Sequence, residues 1–316
     1  MKQDAKIPRG FLLLMGIGDA YGMKREFVPH EQNATADDLF YGPHPKFTDY
    51  KPGHYTDDTQ MALANAELIS ARAASLSTIT ATDFVKAWLE AFKRDPHLGY
   101  SKRMWKMMTE SKDAAGLING LDASQGVTSG AAMRAGPLGL LADVEVVKSL
   151  TTLQARVTHD TQAGINSALA VSLTVHFLHH GGTRAKLPAF LEKHICKDWD
   201  SNENGNSDDP NNGLRSVVFA MNAFREAKTL SEVLLNAVNQ NAVSDTDTVC
   251  SLAMIMASRC PEIKNDLPVA LYDGLEKGRF GRDYLMGMDA RLVEVFPVSK
   301  LYNKAKPSAR HNTPKF

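Results

Sequence analysis

Apolar residues recur at helical spacing along most of this chain. Within residues 59–74, one face of a helix would carry Met61, Ala64, Leu68 and Ile69, because residues three and four apart lie on the same side of an α-helix. Similar patterns occupy six further stretches, which are residues 82–93, 130–142, 163–179, 215–225, 230–239 and 248–258. Alternation of apolar and polar residues, which is typical of strands, is hard to find between them. The sequence therefore predicts an all-α fold.

The helical patterns continue from one end of the chain to the other, which predicts a single compact multi-helix domain over residues 1–300. A chain of 316 residues that is 43% hydrophobic has ample material for one large core. The polar stretch "DWDSNENGNSDDPNNG", residues 198–213, has almost nothing to bury, and we expect a mobile surface loop there rather than a domain linker. Residues 301–316 are predicted to form a basic, solvated C-terminal tail.

The charge balance argues against binding to nucleic acids or membrane surfaces. Lys and Arg together number 36, as do Asp and Glu, whereas such binders need a basic excess. Cys196, Cys250 and Cys260 lack the spacing of a disulfide framework or a zinc finger, and Cys250 and Cys260 are predicted to be buried thiols. The apolar run near the N-terminus is too short to span a bilayer and has no small-residue cleavage site. We therefore expect a cytoplasmic protein.

Histidines cluster at the end of one helical stretch, in "HFLHH", as His176, His179 and His180. Three histidines close together are also found at metal sites. On the end of an apolar helix, however, we interpret them as packing residues that complement the negative helix C-terminus.

Two acid–threonine clusters each stand directly before an apolar helical stretch. The first is Thr56-Asp57-Asp58-Thr59 within "YTDDTQMALA", and the second is "DTDT", residues 245–248. One interpretation is helix capping, because Thr and Asp side chains accept backbone N–H groups and acids favour a helix N-terminus. Capping needs only one acid, however, and neighbouring carboxylates repel each other unless a positive charge lies between them.

The alternative interpretation is a shared cation site. Asp245 and Asp247 can converge only in a loop or a first helical turn, because positions i and i+2 of a helix point apart. Two such clusters facing each other would offer carboxylate and hydroxyl oxygens, which suit Mg²⁺, with Mn²⁺ as an alternative. Four acids at close quarters suggest two ions.

Two more stretches place polar or small residues ahead of a helix. "VTSGAAMRAGPLG", residues 127–139, is a small-residue turn whose backbone N–H groups could face a phosphate. "THDTQAG", residues 158–164, places Thr158, His159 and Asp160 before another apolar stretch. Each signal is weak when taken alone, and His159 could equally be a structural histidine.

Taken together and in this order, the segments resemble the ADP-ribosylglycohydrolase family, whose members remove ADP-ribose from dinitrogenase reductase and from modified arginine or serine. The resemblance covers roughly residues 8–297. It rests on the stretches "GIGDAYGMKREF" (16–27), "YTDDTQMALA" (55–64), "SGAAMRAGPLGLL" (129–141), "VTHDTQAGINSALAVSL" (157–173), "AVNQNAVSDTDTVCSLAMIMAS" (237–258) and "LMGMDARLVEVFP" near the end. The resemblance implies one compact all-α domain with a dinuclear magnesium site at the floor of a cleft.

The resemblance also implies roles for individual residues. The metal ligands would be Thr56, Asp57, Asp58, Asp245, Asp247 and Thr248. Asp57 or Asp58 would position or deprotonate the attacking water, and Glu26 would be either the base or a gate near the metals. The substrate contacts would be Ser129, Gly130, Ala131 and Met133 for the diphosphate, His159 for the ADP-ribose, and Gly99, Tyr100 and Ser101 in the loop "DPHLGYS" (95–101).

Two departures from the family pattern concern substrate preference rather than the metal ligands. Val243 and Ser244 stand where many members have two glycines, and Ser129 stands where the phosphate turn usually has Asn. The resemblance implies a metal-dependent hydrolase that cleaves the C1″ N- or O-glycosidic bond of an ADP-ribosylated protein or small molecule. The alternatives are a protein that binds ADP-ribose or blocks an ADP-ribosyltransferase without catalysis, and a metal hydrolase acting on another small glycosidic substrate.

Overall fold

The structure is a computed structural model that describes residues 10–33, 37–200, 212–239 and 245–303. Helices form almost all of its regular structure. The first eight are α1 Leu12–Gly22, α2 His30–Asn33, α3 Asp57–Ala71, α4 Ala81–Arg94, α5 Lys102–Glu110, α6 Ala114–Gly120, α7 Gly130–Met133 and α8 Val144–Arg156. The others are α9 Gln162–His179, α10 Leu187–His194, α11 Gly213–Arg225, α12 Leu230–Asn239, α13 Thr246–Ser258, α14 Val269–Gly274 and α15 Arg282–Val295.

Strand structure is limited, over those ranges, to one isolated bridge between Thr229 and Lys264. Short 3₁₀ turns connect several helices, at Met23–Arg25, Ala73–Thr78, Gly136–Leu140 and Arg184–Lys186. The predicted all-α fold is therefore confirmed. Among the helices described, none combines the length and the apolar character needed to cross a membrane.

The helices α1 and α13 lie at the centre of the core, side by side. Every residue of both helices is buried, which is expected of helices that are apolar on all faces. Glycines on α1 permit the close approach: a Cβ added to Gly22 would lie 2.4 Å from the Cα of Asp247, and one added to Gly18 would lie 2.5 Å from the carbonyl oxygen of Cys250. The end of α1 is thereby held against the start of α13.

A carboxylate from a distant helix caps the start of α1. Asp289 on α15 accepts hydrogen bonds from three consecutive backbone N–H groups, those of Phe11, Leu12 and Leu13, at 2.8, 2.7 and 3.1 Å. These groups have no partner inside the helix, so the contact satisfies donors that burial would otherwise leave unpaired. It fixes where α1 begins, and hence where its other end meets α13.

The predicted helix over residues 130–142 is wrong in one respect. The structure has a single turn, α7, and then a separate 3₁₀ segment, Gly136–Leu140, with Pro137 in its first turn. Proline has no N–H and its ring clashes with the preceding turn, so it ends one helix and begins another. The first predicted stretch, residues 59–74, corresponds to α3, and its last residues belong to the 3₁₀ turn Ala73–Thr78.

Three histidines at the end of α9 pair with protein groups. His176 is bonded to Leu141 O and Tyr302 Oη, His179 to Phe296 O, and His180 to Leu141 O and Ser299 Oγ. These contacts agree with the packing interpretation. Cys250 and Cys260 are buried thiols outside any disulfide, as predicted.

Several predictions concern residues outside those described. Residues 201–211 of the predicted loop, residues 304–316 of the predicted tail, and Val243 and Ser244 all lie there.

Candidate active site

A cleft of about 370 Å³ opens where the ends of several helices meet. All of the predicted site residues except Thr56 and Ala131 line it, namely Glu26, Asp57, Asp58, Gly99, Tyr100, Ser101, Ser129, Gly130, Met133, His159, Asp245, Asp247 and Thr248. Thr56 and Ala131 are fully buried behind it. Segments that are far apart in sequence are therefore brought to one cavity.

The first acidic cluster stands at the start of α3, where Thr56 is the N-cap residue. The Thr56 side chain accepts the backbone N–H of Asp58, so neither carboxylate is needed for capping. Asp58 instead accepts a hydrogen bond from Ser251 Oγ on α13, at 2.8 Å. Asp57 lines the cleft, and its backbone N–H donates to Leu98 O at 2.9 Å.

The second cluster converges with Glu26. Asp245 is the residue before α13 and Asp247 lies in its first turn, which is the arrangement that allows positions i and i+2 to share a ligand. One carboxylate oxygen from each of Asp245, Asp247 and Glu26 lies within 4.8 Å of the others. Glu26 reaches this point because α1 and the 3₁₀ turn after it end beside the start of α13.

Thr248 joins the two clusters. Its Oγ1 lies 3.2 Å from Asp58 Oδ1 and 3.1 Å from Asp245 Oδ1. A hydroxyl has only one proton to donate, so it cannot satisfy two ionised carboxylates. Among the described residues, Asp247 Oδ1 is also buried without a hydrogen-bond partner. This surplus of oxygen acceptors is what a hard divalent cation requires.

The electrostatics of the acids lead to the same conclusion. Burial, followed by repulsion from neighbouring carboxylates, raises the pKa values of Asp57, Asp58 and Asp247 well above the usual range. Burial also raises the pKa values of Glu26 and Asp245. Ionised carboxylates at such a site need positive charge beside them. The residues present therefore fit a cation site.

His44 orients Glu26 and was not anticipated from the sequence. Its Nε2 lies 2.6 Å from Glu26 Oε2, while its Nδ1 accepts the backbone N–H groups of Lys46 and Phe47 at 2.9 and 2.8 Å. Because Nδ1 acts as an acceptor, the neutral ring carries its proton on Nε2 and donates it to Glu26. No sequence pattern connects His44 to Glu26, because the two residues are 18 positions apart in the chain.

His159 is enclosed by protein groups on both ring nitrogens. Nδ1 lies 2.6 Å from Thr158 Oγ1, and Nε2 lies 3.0 Å from Thr128 Oγ1. Burial, with a smaller contribution from the charge of Arg134, lowers the pKa of His159 to about 3, so the ring is neutral near pH 7. Gly130 lies directly on the ring: a Cβ there would be 2.8 Å from His159 Cε1.

Arg134 is a second residue that was not assigned from the sequence. It is 1% exposed, its guanidinium lies 3.9 Å from the centre of the Trp88 ring, and it donates to Gln154 and Thr158. Burial lowers its pKa to about 9, which leaves it protonated at neutral pH. The sequence does contain a signal, because an Arg inside the apolar stretch "GAAMRAG" must find buried partners.

The loop before α5 presses against the first acidic cluster. Gly99 has a φ of +106°, and an added Cβ would lie 2.0 Å from Asp57 Oδ1. The Tyr100 hydroxyl donates to Gln60 Oε1 at 2.8 Å, and the Ser101 hydroxyl accepts from Met104 N as the cap of α5. Both hydroxyls are thus bonded within the protein.

Comparisons with known proteins concern the family and the fold. The sequence profile described as ADP-ribosylglycohydrolase matches residues 5–300. The chain belongs to the ADP-ribosylglycohydrolase family. It is 27% identical over 262 residues to the ADP-ribosyl-[dinitrogen reductase] glycohydrolase of Rhodospirillum rubrum, an alignment that covers 78% of this chain and 83% of that protein. The family predicted from the sequence motifs is confirmed.

Two further similarities extend the comparison. The chain is 26% identical over 230 residues to ADP-ribosylhydrolase ARH3 of Gallus gallus, covering 68% of this chain and 60% of that protein. A solved structure titled ADP-ribosylglycohydrolase-related protein complex has a TM-score of 0.67 and covers 92% of this chain and 97% of that one, at 22% identity. The likeness to that structure concerns the fold alone.

Proposed function

We propose that this ADP-ribosylglycohydrolase-family member is a metal-dependent hydrolase that removes ADP-ribose from a modified protein or small molecule by cleaving the C1″ N- or O-glycosidic bond. The observation that carries the proposal is the convergence of Glu26, Asp245 and Asp247 within 4.8 Å, joined to Asp58 through Thr248. The names of the relatives from Rhodospirillum rubrum and Gallus gallus support the choice of ADP-ribose.

The residues that would hold the ions are Asp57, Asp58, Asp245, Asp247 and Thr248, with Glu26 beside them. Thr56, the remaining ligand that the resemblance implies, caps α3 and does not line the cleft. We propose two Mg²⁺ ions, with Mn²⁺ as a substitute, because more buried carboxylates meet here than one ion can neutralise. Bound magnesium would supply positive charge for binding the hydroxyls of the distal ribose and a water molecule.

The chain's own residues would then position the water, whose proton would pass to the leaving nitrogen or oxygen. Cleavage develops positive charge on the ribose ring, and the surrounding carboxylates stabilise that charge. Asp57, which faces the cleft without a hydrogen-bond donor from any described side chain, is well placed to orient the water. Glu26, whose carboxylate is held by His44, is the other candidate base.

The test is release of free ADP-ribose from arginine-, serine- and acid-linked substrates, each measured with magnesium and with EDTA. We expect magnesium-dependent release from at least one linkage, which would also identify the leaving group. The variant Asp247→Asn should bind magnesium weakly and release little ADP-ribose. Release that continues unchanged in EDTA would refute the metal-dependent reaction. Binding of ADP-ribose without release from any linkage would favour a non-catalytic role.

A further inference from the structure

One wall of the cleft contains a chain of hydrogen bonds whose direction is fixed at its buried end. Arg134 Nη2 lies 2.6 Å from Thr158 Oγ1, Thr158 Oγ1 lies 2.6 Å from His159 Nδ1, and His159 Nε2 lies 3.0 Å from Thr128 Oγ1. Arg134 and Thr158 are buried, whereas Thr128 is exposed and lines the cleft. These hydrogen bonds thus connect the buried Arg134 guanidinium to the Thr128 hydroxyl, which a ligand can reach.

Arg134 determines the direction of every bond in the chain. A guanidinium can only donate, so Thr158 Oγ1 accepts from it. The remaining proton of that hydroxyl then points to His159 Nδ1, which must be the unprotonated nitrogen. The neutral imidazole therefore carries its proton on Nε2 and donates it to Thr128 Oγ1.

The opposite direction, with His159 protonated on Nδ1, would leave the hydroxyl proton of Thr158 without an acceptor. If His159 donated from Nδ1, Thr158 Oγ1 would accept from both His159 and Arg134, and its own proton would need another acceptor. The described residues offer none within hydrogen-bond distance. A buried donor without an acceptor is costly, so the first direction is favoured.

The Thr128 hydroxyl consequently has a proton to give. Its oxygen accepts from His159, and no described group accepts its proton. The neighbouring Ser129 is buried, whereas Thr128 is exposed, so Thr128 has the more accessible hydroxyl of this turn. The Arg134 guanidinium behind it makes no hydrogen bond to a carboxylate of the described chain, and its charge makes this wall favourable for an anionic group.

We propose that Thr128 binds the substrate by donating its hydroxyl proton to a phosphate oxygen, with Arg134, Thr158 and His159 acting as positioning residues. The proposal rests on the proposed function only in taking the ligand to be a diphosphate such as that of ADP-ribose. It also gives His159 an indirect role, because neither ring nitrogen is free to touch the ligand.

The first experiment measures the dissociation constant of ADP-ribose by calorimetry in magnesium buffer. Thr128→Val removes the hydroxyl at nearly constant shape and should weaken binding roughly ten-fold or more, as expected for a lost hydrogen bond to a charged group. Thr128→Ser keeps the hydroxyl and should bind like the wild type. Thr78→Val, at an exposed turn whose hydroxyl bonds to Ser75 O, is the matched control and should also bind normally.

The second experiment examines the hydrogen bonds that connect Arg134 to Thr128. Nitrogen-15 NMR of the His159 imidazole in the free protein should show an unprotonated Nδ1 and a protonated Nε2. As a single substitution, Thr158→Val should weaken ADP-ribose binding, whereas Thr158→Ser, which keeps the hydroxyl, should bind like the wild type. Added to Thr128→Val, the substitution Thr158→Val should have little further effect on binding. Such non-additivity is expected only when two residues act through the same contact.

The outcomes separate this proposal from the proposed function. Wild-type affinity in Thr128→Val, a protonated Nδ1, or fully additive losses in the double variant would each overturn the role of Thr128. A wild-type protein that binds ADP-ribose but releases none from any conjugate would refute the hydrolase proposal, while the Thr128 variants would still decide the binding proposal. Absence of any ADP-ribose binding by the wild type would overturn both.

Discussion

Asp19 Oδ2 accepts a hydrogen bond from Thr59 Oγ1 at 2.7 Å, linking the last turn of α1 to the first turn of α3. The same oxygen accepts the backbone N–H groups of Thr56 and Thr59, at 3.0 and 3.1 Å. Asp19 thus provides, from another helix, acceptors for the N–H groups at the start of α3. It holds that start in the position from which Asp57 and Asp58 face the cleft.

Replacing Asp19 should destabilise the fold. Asp19→Ala leaves three buried donors without an acceptor, so we expect the free energy of unfolding to fall by about 3 kcal/mol or more. Asp19→Asn keeps one carbonyl oxygen and should lose less. Urea unfolding in EDTA measures both values without a contribution from bound metal. Equal stability of Asp19→Ala and the wild type would contradict this role.

Gly99 is the position at which a single methyl group should impair the site. Gly99→Ala places a Cβ against Asp57 Oδ1 and requires a side chain at a φ of +106°, which L-residues rarely adopt. We expect a loss of about 2 kcal/mol or more in stability and a large loss of ADP-ribose release. Gly116→Ala, in the exposed part of α6 with ordinary φ, should be neutral or stabilising by up to about 1 kcal/mol. Similar effects of both substitutions would refute the argument.

Asp247 should oppose folding when no metal is bound. Its Oδ1 is buried without a partner in the described chain, and its pKa is raised well above the usual range by burial and by nearby acids. Asp247→Asn removes one repelling charge, so the melting temperature in EDTA should stay constant or rise by a few degrees. Added magnesium should stabilise the wild type and have much less effect on the variant. A variant that melts far lower in EDTA would show that Asp247 has a structural role.

A histidine–carboxylate contact near Gly99 predicts that the stability of the fold depends on pH. His97 Nε2 lies 3.1 Å from Glu276 Oε1, and His54 Nδ1 lies 3.1 Å from Glu276 Oε2. Burial alone would raise the pKa of Glu276, but its bonds to the two histidines outweigh burial and lower it to about 2. Burial likewise opposes a positive charge on His97, yet the bond to Glu276 prevails and its pKa is raised above 6.5.

The stabilisation from this contact should therefore be greatest between about pH 4.5 and pH 6.5. Below that range it is lost as Glu276 takes up a proton, because the folded pKa lies below the unfolded value of 4.5. Above it the stabilisation is lost as the pH rises through the raised pKa of folded His97. His97→Gln should cost about 1 to 3 kcal/mol inside the window and less on either side. Urea unfolding of both proteins across the pH range checks this, and a pH-independent difference would contradict it.

The helical content and the ligand types were accessible from the sequence for identifiable reasons. Apolar periodicity is a local property, and it locates α3, α4, α9 and α11–α13 to within a few residues. Pairs of acids beside threonines before apolar stretches indicate chemistry because capping does not require the second acid. The interruption after α7 was missed although Pro137 is visible in the sequence, because the apolar pattern continues through it.

The partners of these residues were not accessible, because tertiary structure chooses them. Nothing local indicates that Asp19 accepts from Thr59, that His44 holds Glu26, or that Arg134 acts on Thr128 through Thr158 and His159. These contacts join residues from different helices and loops. Sequence alone determined which side chains could take part in the chemistry, through their types and local spacing. Packing of buried helices decided which oxygens meet, since each buried polar group must find its partner in three dimensions.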